Sequence, residues 1–367
     1  MGTATAMTSK ERWLAALRMQ PVDRLPFWPK LDAAYPRWRT GRFAGKSNDA
    51  LHDVIGSDKH VWIPHGLREV RTKTSTKSTR ADDTRTTVYR TPHGEMREVY
   101  RFDEDSQAWH PIEFPVKTAQ AIRLMTEMYA DVEVEFDAKV LEEARAQVRE
   151  IGGDAFTAGT VGTSPLMWFV EHLAGVVNAH LFLADCPDEV QALFDAMQRK
   201  NVRRAELLAD RHPADMFYMV ENTSTSLISP TQFRTYSMPQ LREVTDVLNA
   251  RGRLMVYHMC GLLKDLLGDI ATLGAAGVEA FTAPTLGNTT LLDGRTACPD
   301  LCFVGGTQAT FWTKPAEDII AKVDEALAPL PHHRGLVITS AGVMPPMCEP
   351  ETIRTVCDWV KTYPAKM

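Results

Sequence analysis

The stretch Arg253-Leu-Met-Val-Tyr-His-Met-Cys-Gly261 joins a short apolar run to two residues that can bind a metal ion. Residues 254–257 have the composition of a buried strand. Because side chains alternate along an extended chain, His258 and Cys260 are expected on the same side of it. An imidazole and a thiolate are ligands that zinc accepts. The stretch therefore predicts a strand that ends in part of a metal site, although an isolated His-x-Cys is more often two ordinary residues.

Similar apolar runs recur through the second half of the chain, and segments with helical spacing separate them. The runs are residues 155–160, 216–220, 254–257, 278–282, 302–305 and 336–339, and two earlier runs lie at 25–28 and 61–64. Continuous apolar strands that alternate with helices predict an α/β fold with a parallel sheet covered on both faces. Eight such strands close most simply into a (β/α)8 TIM barrel, and a doubly wound open sheet is the alternative.

Two parts of the chain depart from this rhythm. Residues 8–60 predict an N-terminal extension, with a helix capped by Thr8 or Ser9, Glu11 in its first turn, and the first strand. In residues 69–113, Thr and Val alternate with charged residues around a turn signal at Thr91-Pro-His-Gly94. This region predicts an inserted β-hairpin or small antiparallel sheet. We expect residues 1–367 to form a single barrel domain.

Composition excludes several classes of function. A net charge of −6 with scattered Lys and Arg argues against binding of nucleic acid or an anionic membrane. No apolar run reaches the roughly 18 residues of a membrane span, and the first residues lack the order of a secretory signal. Six cysteines without paired spacing do not predict disulfides. We therefore expect a cytoplasmic protein, and the lack of a Gly-x-Gly-x-x-Gly motif after any strand gives no support for dinucleotide binding.

In a barrel of this kind, chemistry gathers in the loops that follow the carboxyl ends of the strands. The candidate metal ligands in these loops are Glu221, His258, Cys260 and Cys348. Two thiolates, an imidazole and a carboxylate form a plausible zinc site. Glu221 can instead orient His258 or contact substrate, and Cys348 can be a loop cysteine without a role. The predicted catalytic residues are Glu221, His258 and Cys260.

Four other residues near the predicted strand ends are candidates for substrate binding. They are Thr160, Trp168, Asn222 and Gln308. The small-residue loop after Thr160 can let a ligand approach the strand ends. Trp168 suits an aromatic or apolar substrate, but an aromatic residue in this position can equally belong to the core.

The chain resembles the uroporphyrinogen decarboxylase superfamily over nearly its whole length, which implies a (β/α)8 barrel. The residues that carry the resemblance are Thr8-Ser-Lys-Glu-Arg-Trp-Leu-Ala-Ala-Leu-Arg18, Asp23-Arg-Leu-Pro-Phe27, Leu227-Ile-Ser-Pro-Thr-Gln-Phe-Arg234, His258-Met-Cys-Gly261, Gly277-Val-Glu-Ala280 and Gly342-Val-Met-Pro-Pro-Met-Cys-Glu-Pro-Glu-Thr-Ile-Arg354. His258-Met-Cys-Gly261 is similar to the zinc motif of the corrinoid-dependent methyltransferases in this superfamily. Residues 29–39 lack the arginine- and glycine-rich pattern with which the decarboxylases hold a tetrapyrrole.

The methyltransferase branch implies zinc-dependent transfer of a methyl group between a small molecule and a corrinoid (cobalamin), as in an O-demethylase component. The chain has no Asp-x-His-x-x-Gly motif, so a separate corrinoid protein is the expected partner, and a homodimer is common for such barrels. The late cysteine of that branch precedes the Pro-Pro turn, where this chain has Ala341-Gly342, whereas Cys348 follows the turn. Two alternatives stay open: a metal-free lyase of the decarboxylase type, and a non-catalytic barrel that binds a small ligand.

Overall fold

The computed structural model describes residues 6–31 and 34–367, and its centre is a curled, seven-stranded parallel sheet. The strands, in their order across the sheet, are β1 (Lys59–Trp62), β8 (Ala155–Gly162), β9 (Met216–Val220), β10 (Leu254–His258), β11 (Gly277–Phe281), β12 (Cys302–Gly306) and β13 (Leu336–Thr339). All neighbours pair in parallel. The predicted α/β class is confirmed, and seven of the predicted runs are strands whose ends differ from the prediction by two residues or fewer.

The predicted strand at residues 25–28 is only a single bridge, between Phe27 and Ile338 of β13. The Trp28 N–H donates to the Ile338 carbonyl at 2.9 Å, and the Ile338 N–H donates to the Pro26 carbonyl at 2.9 Å. On the other side of this segment, the Asp58 N–H donates to the Phe27 carbonyl at 2.8 Å. Pro26 and Pro29 have no N–H to donate, which limits the segment to this short pairing.

Helices precede, connect and follow the strands. They are α1 (Ser9–Leu17), α2 (Asn48–Ile55), α3 (Ala119–Ala130), α4 (Ala138–Ile151), α5 (Pro165–Trp168), α6 (Val176–Asp185), α7 (Pro187–Arg211), α8 (Pro230–Gln232), α9 (Met238–Asn249), α10 (Leu267–Ile270), α11 (Leu291–Ala297), α12 (Ala316–Leu327) and α13 (Pro350–Thr362). Two π-helical segments, Phe169–Leu173 and Phe233–Ser237, follow α5 and α8. No helix in the described part of the chain is both long and apolar enough to cross a membrane.

The predicted cap of α1 is confirmed. The Glu11 N–H donates to Thr8 Oγ1 at 3.2 Å, and the Thr8 N–H donates to Glu11 Oε2 at 2.8 Å, which completes a capping box. Trp13 of this helix stacks on Phe156 with ring centroids 5.1 Å apart. Both rings belong to a buried cluster with Trp28, Tyr218 and inward-facing residues of the central strands. The helix therefore fills one end of the curled sheet, and the carboxyl ends of the strands lie at the other.

The region predicted as an inserted hairpin contains a four-stranded antiparallel sheet. Its strands are β3 (Ser75–Ala81), β4 (Thr84–Thr91), β5 (Gly94–Asp103) and β6 (Ala108–Glu113). Thr91 pairs with Gly94 across the predicted turn. A separate antiparallel pair joins β2 (Leu67–Val70) to β7 (Glu133–Phe136). The insertion is thus larger than a single hairpin, because β3 and β6 extend the β4–β5 pair on both sides.

Candidate functional site

His258 and Cys260 lie together at the carboxyl end of β10. His258 is the last residue of the strand, and Cys260 follows it with an exposed side chain. The two side chains interact, since Cys260 is among the groups that raise the pKa of His258. The Cys260 thiol also donates to Asn222 Oδ1, with sulfur and oxygen 3.6 Å apart. The structure therefore brings together the imidazole and the thiol that the sequence predicted as one half of a metal site.

Glu279 on β11 is the cross-strand neighbour of His258. Its Oε2 contacts His258 Nδ1, and its Oε1 accepts from Lys30 Nζ at 2.8 Å. Burial raises the pKa of Glu279, but Lys30 and His258 outweigh burial and hold this pKa at about 2. Burial likewise lowers the pKa of His258, and the Glu279 carboxylate outweighs it, so that the pKa rises to about 9. Without a metal, His258 is thus an imidazolium at neutral pH.

Glu221, a predicted ligand and catalytic residue, has its carboxylate directed to the loop after β8. It accepts a hydrogen bond from the Ser164 N–H at 2.7 Å and another from Ser164 Oγ at 2.5 Å. The side chain is fully buried, and burial raises its pKa to about 7. The Glu221 N–H donates to the His258 carbonyl at 3.0 Å, so its backbone, rather than its carboxylate, contacts β10.

Cys348, the other predicted late ligand, has a buried side chain. Tyr35 Oη donates to its carbonyl, as does Arg39 Nη1 at 3.2 Å. Burial raises the pKa of the Cys348 thiol to about 12, which disfavours the thiolate that a metal requires. Within residues 6–31 and 34–367, no three His, Cys, Asp or Glu side chains are arranged to hold a metal ion. The predicted set of four ligands therefore does not fit a zinc ion in this arrangement.

Asn222 and Glu171 extend the site beyond Cys260. Asn222, two residues after the end of β9, adopts a left-handed conformation with φ of 45°. Its Nδ2 donates to Glu171 Oε2 at 2.9 Å, while its Oδ1 accepts from Cys260. Glu171 lies in the first π-helical segment, and its Oε1 is buried without a hydrogen-bond partner. Burial raises the pKa of Glu171. An acceptor of this kind suits a substrate or ligand group that can donate a hydrogen bond.

The other predicted substrate residues make structural contacts. Thr160 Oγ1 donates to the Tyr218 carbonyl at 3.4 Å. Gln308 Oε1 accepts from the N–H groups of Thr285 and Leu286 at 3.0 and 3.2 Å and so fixes the loop after β11. The Trp168 ring lies 4.1 Å from the ring of His172. Contact of these three residues with substrate stays a prediction, whereas Asn222 lies beside Cys260.

Sequence inspection missed Lys30, Glu171 and Glu279. A carboxylate inside the apolar strand that contains Glu279 was a usable signal, because such residues are rarely buried unless they are paired. Lys30 follows the Phe27 segment directly, so its place after a predicted strand was a weaker signal. Glu171 gave no signal, since its side chain is one of several polar groups in a helical stretch.

Comparison with solved structures supports the fold. A "methyltransferase from Methanosarcina mazei" superposes with a TM-score of 0.62 at 18% sequence identity, over 96% of this chain and 98% of that one. A D-psicose 3-epimerase in the presence of D-fructose gives a TM-score of only 0.35 at 11% identity, over 66% of this chain and 92% of that one. At such identities the first likeness indicates a shared fold, and the second carries no argument.

Comparison with protein families gives a direct assignment. A search of curated proteins found no match. The family model described as "Uroporphyrinogen decarboxylase (URO-D)" matches residues 110–363, which is well over half of the chain. The matched region includes β8 to β13 and the residues around His258, Cys260 and Glu279. The chain therefore belongs to the uroporphyrinogen decarboxylase (URO-D) family.

Proposed function

We propose that this chain is a methyltransferase that moves a methyl group between a small molecule and a corrinoid carried by a separate protein, as in an O-demethylase component. The observation that carries the proposal is that His258 and the exposed Cys260 lie two residues apart at the carboxyl end of β10. Membership of the URO-D family and a fold shared with a methyltransferase over 96% of the chain support it.

The side chains around Cys260 suit a reaction with a partner that docks from outside. Cys260 is exposed, so a methyl donor or acceptor can reach its sulfur. Glu279 engages His258 Nδ1, which leaves Nε2 as the ring nitrogen for a ligand. Asn222 accepts from the thiol and positions it. In this proposal, Cys260 and His258 contact the reacting group, while Glu279 and Asn222 orient them.

Zn2+ remains a separate proposal for this site. A zinc ion bound here would supply Lewis-acid chemistry, but His258 and Cys260 provide only two of the four ligands that zinc prefers. Glu221 and Cys348 would each have to leave their present contacts to join them. The proposed methyl transfer is therefore tested independently of metal content.

We also propose that the central sheet closes into an eight-stranded barrel, with the Phe27 segment as its eighth member and the inserted antiparallel sheet as an addition to a single domain. The hydrogen bonds of this segment to Ile338 and to Asp58 support closure, since they reach both edges of the seven-stranded sheet. A cytoplasmic location, in which the thiols stay reduced, and a homodimer complete the proposal.

The decisive experiment measures methyl transfer to cob(I)alamin by its absorbance, with a panel of methyl donors, beside elemental analysis of zinc. The variants are His258→Ala/Cys260→Ser and, as a matched control, Cys186→Ser, which removes a half-buried thiol at the start of α7. We expect turnover in the parent and the control and none in the double variant. Full turnover in the double variant would refute the proposed reaction centre. Turnover by protein that contains no zinc would refute only the zinc proposal.

The family match itself favours a second candidate, a metal-free lyase like uroporphyrinogen decarboxylase. Residues 29–39 lack the tetrapyrrole-binding pattern of those enzymes, although Lys30 places a cation in the site. Incubation with uroporphyrinogen separates the candidates, because a lyase releases carbon dioxide and a methyltransferase does not. Any turnover would also exclude a non-catalytic, ligand-binding barrel.

A further inference from the structure

A polar cavity lies between the four-stranded antiparallel sheet and helices α3 and α7. Its volume is about 350 Å³, and one wall is the face of the sheet that carries Thr87 and Tyr89 of β4. A second cavity of about 260 Å³ reaches Val161 at the carboxyl end of β8. The two cavities share Glu69, Tyr129, Trp168 and Lys200 as lining residues, so they lie side by side in one region.

Positive charge exceeds negative charge in this region. The cationic lining residues are Arg71, Arg85, Lys200 and Arg204, and the carboxylates are Glu69 and Glu98. Glu69 pairs with two of these cations, since its carboxylate accepts hydrogen bonds from Lys200 at 3.0 Å and from Arg71 at 2.7 Å. Arg204 Nε donates to the Val161 carbonyl at 2.7 Å instead of to a carboxylate.

These cations are largely withdrawn from solvent. The side chains of Lys200 and Arg71 are 17% and 20% exposed, and Arg71 Nε is buried without a hydrogen-bond partner. Burial lowers the pKa of both Lys200 and Arg204. Burying a cation without a full set of partners is unfavourable, so an anion in the cavity would stabilise the arrangement.

The rest of the lining suits a flat apolar body. Tyr129 and Trp168 line both cavities, and Met125, Met128 and Leu173 face the larger one. The Lys200 ammonium lies 4.8 Å from the centroid of the Tyr129 ring. An aromatic ring could therefore pack between these side chains while its charged group meets Lys200 and Arg71.

We propose that this cavity binds a small aromatic carboxylate, with the carboxylate at Lys200 and Arg71 and the ring against Tyr129 and Trp168. This site is distinct from the His258–Cys260 centre, and the proposal does not depend on the proposed function. Residues 168–172 connect the cavity with the His258–Cys260 centre. Trp168 and His172 face the cavity, whereas Glu171 between them contacts Asn222 at the centre.

The test uses isothermal titration of the purified full chain with benzoate at constant ionic strength. Benzamide serves as the neutral isostere and inorganic phosphate as an anion without a ring. The variants are Lys200→Gln and Arg71→Gln, and Arg203→Gln is the matched control on the same helix, since Arg203 is exposed and pairs with Glu206. We expect benzoate binding that weakens at least tenfold in each cavity variant, is unchanged in the control, and is absent for benzamide.

Fluorescence gives a second measurement that needs no change of charge. Benzoate is expected to alter the tryptophan emission of the parent, and Trp168→Phe should abolish that change while Trp359→Phe, on α13, retains it. Benzoate affinity that is equal in the parent and both charge variants would overturn the proposal. Binding of benzamide as tight as that of benzoate, or of phosphate alone, would equally overturn it.

Discussion

Lys30, His258 and Glu279 show how three residues distant in sequence set one another's charge. Lys30 Nζ lies 2.8 Å from Glu279 Oε1 and 3.4 Å from His258 Nδ1, so a single carboxylate stands between two cations. His258 and Glu279 are cross-strand partners on β10 and β11, and Lys30 follows the Phe27 segment. The sheet register, rather than the local sequence, therefore decides the protonation of the candidate reaction centre.

The first prediction concerns the pKa of His258 in chelator-treated protein. Because the pKa of His258 is raised from 6.5 to about 9, its pairing with Glu279 stabilises the fold fully below pH 6.5, and this is lost as the pH rises through 9. The Glu279→Gln variant should have a markedly lower His258 pKa, since burial and Lys30 lower it and only Cys260 is left to raise it. It should also lose on the order of 2–4 kcal/mol of the pH-dependent unfolding free energy.

Imidazole NMR titration and urea unfolding at pH 6 and pH 9.5 check this prediction. Glu127→Gln is the matched control, because Glu127 pairs with His93 at the surface, where the His93 side chain is 70% exposed. A His258 pKa that stays near 9 in Glu279→Gln would show that another group holds the proton. The lowered pKa of Glu279 also stabilises the fold; this contribution is fully present above pH 4.5 and is lost as the pH falls through about 2.

At the scale of single elements, α1 depends on its capping box. Thr8 and Glu11 satisfy each other's backbone N–H groups, and the helix then places Trp13 inside the curled sheet. We predict that Thr8→Ala lowers the unfolding free energy by about 1 kcal/mol, since the Glu11 N–H loses its acceptor. Urea denaturation of the full chain measures the effect.

The control for the cap is Thr355→Ala, which makes the same substitution inside α13. Thr355 is exposed and donates to the Glu351 carbonyl of its own helix, so alanine there should change stability by less than about 0.5 kcal/mol. An equal loss in the two variants would mean that the loss at Thr8 is not specific to the cap.

At the scale of the whole molecule, Asp58 joins the first segments of the chain. This fully buried carboxylate contacts Arg12 of α1 and accepts from Arg24 Nη1 at 2.8 Å. Its carboxylate also accepts a hydrogen bond from the Phe27 N–H at 3.0 Å. Asp58 itself directly precedes Lys59, the first residue of β1. Helix α1, the Phe27 segment and the edge of the sheet therefore meet at one side chain.

We predict that Asp58→Asn lowers the unfolding free energy by about 3 kcal/mol, because Arg12 and Arg24 then stay near an uncharged partner. Asp53→Asn is the matched control, since Asp53 is 61% exposed and is one of three carboxylates around Lys59. Its effect should be below about 1 kcal/mol. Similar chemical denaturation midpoints for the two variants would contradict a central role of Asp58 in joining these segments.

Much of the fold could be predicted from the sequence because its signals are local. The runs at residues 216–220 and 336–339 became strands with the predicted ends, and Thr8 and Glu11 formed the predicted cap. The segment at residues 25–28 did not become a strand, since proline removes donors that a periodic pattern does not count. The insertion, predicted as a hairpin or small antiparallel sheet, is a four-stranded sheet, and alternation alone did not give the number of strands because that number depends on pairing partners.

The sequence by itself determined the α/β class, the positions of most parallel strands along the chain and the pair His258–Cys260, since periodicity and spacing along one strand are properties of the chain. Only the tertiary structure decided which other groups meet that pair. It brought Lys30 and Glu279 to His258, turned Glu221 to Ser164, and buried the thiol of Cys348. These outcomes depend on strand register and loop packing between residues far apart in the chain, which no local pattern encodes.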